Sequence, residues 1–316
     1  MKNIYFERAI FLSWYCSKGD CKFCYMSTQK DKIQNPKLAK RRKETILAEA
    51  VISKMCGWRE EFLSGGFDSY EIEELVDITK KIYEITGRKQ WLNIGDLKKE
   101  VIKKFMPYIE GVSGAVECVN FKLRDEICPS KPLKPIFNMY KASKELGLKN
   151  SITIIIGLGE TLEDFNELKN IIEEYDIDRV TFYALNPHEG TIFKVGPRTS
   201  YYVKWIKELR KTFPKMDIVA GSWVDRLEEI HELIEAGADH ITKFPSIRLF
   251  GTKYAKQIEF EVKKTGNNFM SNMTTYPKEN PKKILDKTSF DNELKGKILE
   301  KVNMYLKKMK SNEKNN

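Results

Sequence analysis

Cys16-Ser17-Lys18-Gly19-Asp20-Cys21-Lys22-Phe23-Cys24-Tyr25 gathers three thiols in one short stretch, directly behind an apolar run at residues 9–15. The other cysteines, Cys56, Cys118 and Cys128, are scattered. A tight trio in a reducing compartment speaks for metal binding rather than disulfides. Three soft thiolates from one loop suit three irons of a 4Fe–4S cubane and leave the fourth iron open. A structural zinc would need a fourth ligand nearby, but the next cysteine is Cys56 and the nearest histidine in sequence is His188.

Outward from this loop, eight short apolar segments read as strands: residues 9–15, 61–64, 90–94, 114–118, 151–156, 179–185, 217–220 and 240–242. Their Val, Ile, Phe, Tyr and Trp content, and their ends at Gly, Pro or Ser, suit buried parallel strands. Helical periodicity fills the gaps. Residues 70–86 carry Ile72, Leu75, Val76, Ile82 and Tyr83 on one face, and 162–175 carry Phe165, Leu168, Ile171 and Ile172. Residues 226–236 do the same with Leu227, Ile230 and Leu233. Eight β–α alternations predict an α/β fold, a (βα)8 TIM-type barrel over residues 1–255. Residues 256–316 read as a short helical C-terminal extension, with helices at 253–264 and 290–309. The cysteine loop then follows the first strand, at the barrel face where active-site loops gather.

With 316 residues and 41% hydrophobic content, the chain admits a core of barrel size. No apolar run reaches the length of a membrane span, and Glu7 and Arg8 interrupt the start where a secretion signal needs an apolar stretch. These features predict a cytoplasmic protein with no membrane partner. The net charge of +10 concentrates in residues 30–43, with Lys30, Lys32, Lys37, Lys40, Arg41, Arg42 and Lys43, and in the tail after Tyr276. Such a surplus suits an acidic partner, an anionic substrate or simply a solvated lysine-rich surface. No nucleic-acid-binding motif accompanies it, which weighs against RNA or DNA.

The cysteine loop, with aromatic Phe23 before the last thiol, resembles the cluster motif of the radical S-adenosylmethionine (SAM) superfamily. Its first gap holds four residues, Ser17 to Asp20, where the family pattern usually has three. The resemblance implies two cofactors, a 4Fe–4S cluster on Cys16, Cys21 and Cys24 and SAM chelated to the open iron. It also implies one-electron cleavage of SAM to methionine and a 5′-deoxyadenosyl radical that abstracts hydrogen from a substrate. An electron donor of ferredoxin or flavodoxin type is implied as a partner.

Further motifs follow the same order. Ser64-Gly65-Gly66, ending the second strand, resembles the glycine pair whose backbone receives the SAM ammonium group; a plain strand-to-helix turn would use glycine too. Ile155-Ile156-Gly157-Leu158-Gly159-Glu160-Thr161 resembles the segment that packs beside adenine in biotin synthase, which makes Ile155 and Gly157 candidates. Glu160 and Thr161 are equally readable as helix N-terminal acid and cap. Glu117, rather than Asn120, is the candidate for the ribose hydroxyls. Lys131 or Lys134 would balance the SAM carboxylate, unless both are solvated surface lysines. Leu185, ending the sixth strand, completes the SAM candidates. His188 lies in a turn resembling that of the biotin synthase group and reads as structural. Gly221-Ser222-Trp223 and the run Phe244 to Arg248 are expected to face the substrate.

The resemblance is nearest to the biotin synthase-like group, which includes lipoyl synthase and hydrogenase-cofactor maturases. Biotin synthase holds a second cluster on barrel cysteines and an arginine; matching the strands puts Leu63, Trp91, Ser151 and Asp217 there, so sulfur donation from such a cluster is not expected. Two readings of the reaction stay open. One is sulfur insertion in lipoyl synthesis, as one chain of an archaeal-type pair of radical SAM proteins, with residues 30–43 docking an acidic carrier domain. The other is a maturase or methylase acting on a small cofactor precursor. A non-catalytic iron–sulfur protein is the alternative of another class. Cys56, Cys118 and Cys128 are either auxiliary cluster ligands or buried thiols.

Overall fold

The computed structural model describes residues 1–314. The strands are β1 (Asn3–Phe11), β2 (Arg59–Ser64), β3 (Gln90–Asn93), β4 (Ile109–Glu117), β5 (Lys149–Ile156), β6 (Ile177–Ala184), β7 (Asp217–Gly221) and β8 (His240–Thr242), with a short β9 at Asn268–Phe269. All pair in parallel. The order β2-β3-β4-β5-β6-β7-β8-β1, closed by pairing of β1 with β2, makes an eight-stranded barrel; β9 adds to β1 outside it. Closure removes every free edge from the eight strands. The predicted (βα)8 barrel is therefore the fold.

The surrounding helices are α1 (Lys43–Met55), α2 (Ile72–Thr86), α3 (Lys99–Phe105), α4 (Phe121–Ile127), α5 (Leu133–Glu145), α6 (Phe165–Glu174), α7 (Thr199–Thr212) and α8 (Ile230–Glu235). They are followed by α9 (Ser246–Leu249), α10 (Lys253–Lys264), α11 (Pro281–Asp286) and α12 (Asn292–Lys314). The apolar faces read from the sequence meet the sheet: Leu75, Ile78, Ile82 and Ile85 of α2 are buried, as are Phe165, Leu168, Ile171 and Ile172 of α6. The boundary expected at residue 255 falls inside α10. The C-terminal segment also folds back, with α12 packed on α1 and α9. Among the described residues no helix is long and apolar enough to cross a membrane.

The first strand begins six residues earlier than the apolar run suggests and ends before Trp14. Its charged residues are the reason. Glu7 is buried at 1% exposure and receives Arg179 of β6 at 2.8 Å, and Arg179 also bonds Asp217 at 2.7 Å. His240 lies 3.1 Å from Asp217. This ionic layer plugs the barrel at the end opposite the cysteine loop. Trp91 and Asp217 line that lower mouth, Leu63 packs outward in the core, and Ser151 bonds Ser113. The four residues matched to the second cluster of biotin synthase thus do not share a site.

Candidate active site

The cysteine loop crosses the barrel mouth and is pinned on two sides. Ser17 N–H donates to Phe67 O at 3.1 Å, beyond β2, and Lys22 N–H donates to Ile127 O at 2.9 Å, at the end of α4. Lys18 sits 4.0 Å above the Phe67 ring. Cys16, Cys21 and Cys24 then surround one small cavity of about 160 Å³ together with Phe23, Ser64, Gly65, Gly66, Glu117 and Lys131. Among the described residues no three His, Cys, Asp or Glu side chains converge tightly enough for a single metal ion. A cubane spreads its ligands further apart than a mononuclear site does.

Gly66 touches the loop itself. A Cβ there would lie 2.1 Å from Tyr15 O and 2.5 Å from Cys16 Cβ, so only glycine lets Cys16 reach its place. Gly65 is looser, with the nearest atom, Ser69 Oγ, 3.3 Å from an added Cβ. The pair therefore divides its work: Gly66 seats the thiol loop, and Gly65 is the one whose backbone faces the cavity without that constraint.

Lys131 is not a solvated surface lysine. It is buried at 6% exposure, and its ammonium meets Glu117 Oε1 at 2.6 Å. Burial alone would lower its pKa; the Glu117 carboxylate and the nearby thiols more than reverse that and keep it protonated. Lys134 is exposed. Asn120 is occupied as the cap of α4, accepting from Leu123 N–H at 3.1 Å. The side-chain hydrogen bond with Cys128 draws the Cys21 thiol down and pushes Cys128 up. Burial pushes Cys24 up to about 11. Cys128 thus stands beside a motif thiol, Cys118 is buried, and Cys56 caps the end of α1 rather than lying mid-helix. These three do not gather.

A second cavity of about 830 Å³ adjoins the first and shares Phe23, Cys24, Ser64, Asn93 and Glu117 with it. Ile155 and Leu185 line it; Gly157 lines neither cavity and packs against Pro197 instead. Glu160 is neither helix acid nor ligand in this structure: it bends back to accept from the amides of Gly157, Leu158 and Gly159 at 2.7, 2.8 and 3.2 Å. Thr161 does cap, in a reciprocal pair with Asp164. Trp223 faces the cavity as expected, but Phe244 and Ile247 join the core and Ser246 Oγ accepts from Arg8. His188 lines the cavity between Tyr25 and Trp223, its basicity lowered by burial.

Sequence reasoning missed the buried carboxylate that holds Tyr183, a residue of the cavity wall. Glu61 of β2 is buried and accepts hydrogen bonds from the Tyr183 hydroxyl of β6 and from Thr242 Oγ1 of β8, the latter at 2.5 Å. Lys243 follows Thr242 and lines the cavity. Asn93, Trp14 and Tyr183 were missed as well. No local motif marks any of them, because they come from separate strands and loops that only the fold brings together.

The family model of the radical SAM superfamily matches residues 14–172, the stretch holding the cysteine loop and strands β2 to β5. The chain belongs to the radical SAM superfamily. An uncharacterized protein of Methanocaldococcus jannaschii is 47% identical over 291 residues, covering 91% of this chain and 80% of that protein. A biotin synthase of Methanococcus vannielii is 28% identical over 181 residues, 57% of this chain and 54% of the relative. A ribosomal protein uS12 methylthiotransferase of Clostridioides difficile is 26% identical over 194 residues, 56% of this chain and 42% of the relative. The chain thus spans about half the length of these two named enzymes. The crystal structure of a methylornithine synthase superposes with a TM-score of 0.69 at 18% identity, covering 90% of this chain and 86% of that one, which shows the shared fold.

A 4Fe–4S cluster and SAM are the superfamily's cofactors, and the site fits them. Three thiols surround one cavity, a glycine seats their loop, and the buried Lys131–Glu117 ion pair lines the same cavity. Cys16, Cys21 and Cys24 would hold the cluster. Phe23, Ser64, Gly65, Glu117 and Lys131 lie where they would hold SAM.

Proposed function

We propose that this chain reductively cleaves SAM at a cluster on Cys16, Cys21 and Cys24, the 5′-deoxyadenosyl radical then taking hydrogen from a small organic substrate in the larger cavity. The observation that carries this reading is the pair of adjoining cavities that share Phe23, Cys24, Ser64 and Glu117 as their common wall. That wall lets one ligand sit at the thiols and another meet it from the barrel side. Phe23 at the junction and Ile155 and Leu185 in the larger cavity present the apolar surface that a reactive radical requires. Lys131 and Glu117 offer one cation and one carboxylate to a zwitterionic ligand.

The basic stretch favours a free small substrate. Lys40 pairs with Glu74 at 2.6 Å, Arg41 with Glu49 at 2.5 Å and Lys43 with Asp77 at 2.6 Å. Arg42 lies 3.8 Å from Glu44, and Lys30 donates to Lys18 O. Among the described residues only Lys32 and Lys37 of the seven cations stand unengaged, too few to make a strong docking face for an acidic carrier.

Sulfur insertion, as in lipoyl formation, is the second reading, favoured by the similarity to biotin synthase and by the apolar walls. It would need sulfur from outside, such as a second radical SAM chain, because Cys24 is the one thiol lining the larger cavity. A ferredoxin- or flavodoxin-type protein would supply the electron in either case. Anaerobic turnover with SAM and candidate substrates, followed by mass analysis of products, separates the two: a sulfur-free product supports the first reading, and a mass gain of sulfur supports the second.

A further inference from the structure

Lys243 directly follows β8 at φ +75, a backbone region that a lysine rarely adopts and that is typically kept where function needs it. Its stem is packed into place. A Cβ on Gly221 of β7 would lie 2.9 Å from Lys243 Cγ and 2.5 Å from Tyr183 Cδ1, so glycine is what leaves room for both side chains. The ammonium hangs 4.2 Å from the centroid of the Tyr183 ring and 5.6 Å from that of Phe62. Among the described residues it has no hydrogen bond and no ion pair.

The charges around it show what it lacks. Glu61 faces Lys243 electrostatically from below, but its oxygens are engaged by Tyr183 and Thr242. Glu117, the acidic residue that lines the cavity, is held by Lys131. Burial lowers the basicity of His188 and disfavours its charged form. Elsewhere the walls are largely apolar, with Phe11, Trp14, Phe23, Ile155, Leu185 and Trp223, and their polar groups, such as Gln29, Asn93 and Asn186, carry no charge. An ammonium with three free donors, half-buried in a cavity that offers it no free counter-ion, is an anchor for an anion.

We propose that Lys243 binds the substrate by a carboxylate, so that the substrate is a monoanionic carboxylic acid with an apolar body. This rests on the radical reading above for the reaction, though not for the binding. One point charge matches one carboxylate; a phosphate dianion would call for a second cation or an amide nest, and the other lysine nearby is occupied by Glu117.

The test is calorimetric titration of the reconstituted holoenzyme with SAM present, using octanoate and 4-phenylbutyrate against the alcohols and amines of the same skeletons. Each carboxylate is expected to bind about tenfold or more tighter than its alcohol, with the amines weaker still. Lys243→Met should remove that preference while leaving the alcohols unchanged, and Lys243→Arg should keep it. Thermal unfolding of both variants near the wild-type midpoint shows that they fold; if Lys243→Met does not fold, the wild-type series alone reads the sign of the anchor. Equal binding of acid and alcohol, tighter binding of the amine, or a preference that survives Lys243→Met would overturn the proposal. So would octyl phosphate binding tighter than octanoate. The two readings fail separately: carboxylate preference without 5′-deoxyadenosine formation upholds the anchor and sinks the radical chemistry, and 5′-deoxyadenosine formation without the preference does the reverse.

Discussion

The Lys131 ammonium meets the Glu117 carboxylate at 2.6 Å, and Glu117 itself is held at φ +71 on the end of β4. A buried ion pair on a strained residue is poor design for stability alone. Both groups line the cavity ringed by the thiols, which gives the strain a purpose in binding.

Glu117→Gln should therefore act twice. It leaves the Lys131 charge uncompensated, at a cost of about 3 kcal/mol in urea unfolding. It should also weaken SAM binding about tenfold in equilibrium dialysis. The double variant Glu117→Gln/Lys131→Met should regain most of the stability and none of the SAM affinity. Recovery of both would reduce the pair to a structural one.

Gly66 and Gly65 should separate under substitution. Gly66→Ala drives a methyl into Tyr15 O and Cys16, so iron per chain after anaerobic reconstitution should fall sharply. Gly65→Ala meets its nearest atom at 3.3 Å and should keep its iron; Gly65→Val should keep it too while binding SAM more weakly. Equal iron content in the Gly65 and Gly66 variants would refute this division.

Glu49 of α1 links the helix to the cysteine strand and to the basic stretch. It accepts from Arg8 at 2.8 Å and from Arg41 at 2.5 Å. Burial pushes its carboxyl up, and the two guanidiniums outweigh burial and hold it below its usual 4.5. A depressed folded value stabilises above the unfolded value and is lost as pH falls through the folded one. Glu49→Gln should cost about 3 kcal/mol at pH 7, and its difference from wild type should shrink below pH 4.5. A penalty that stays constant down to pH 3 would contradict this assignment.

The cysteine loop was legible because its chemistry is local: three thiols and an aromatic residue in one stretch define the ligand set without knowledge of the fold. The barrel was legible from alternating apolar periods. What stayed hidden is what distance assembles. Glu7 and Arg8 read as a polar start, but Arg179 and Glu49 neutralise them inside a strand. Lys131 read either as a partner for the SAM carboxylate or as a surface lysine, and nothing local placed Glu117 beside it. Residues 30–43 read as a field of free charge, although Glu74, Glu49 and Asp77 lie across from it in space. Lys243, Glu61 and Tyr183 come from three strands, and nothing in any one strand marks them.

The remaining free cations of the basic stretch offer a check on carrier docking. Lys32→Glu with Lys37→Glu should leave turnover on a free substrate within about twofold, since exposed charges contribute little to a pocket's binding energy. A steep, salt-dependent loss confined to a carrier-bound substrate would restore the docking reading.

Radical cleavage of SAM is the claim on which the rest depends, and one measurement addresses it directly: product analysis of the anaerobically reconstituted protein with SAM and dithionite. The expected products are 5′-deoxyadenosine and methionine, formed by a protein with about four irons per chain and lost in Cys16→Ala, Cys21→Ala and Cys24→Ala but kept in Cys56→Ala. S-adenosylhomocysteine in place of 5′-deoxyadenosine, or cleavage indifferent to the three cysteines, would contradict it.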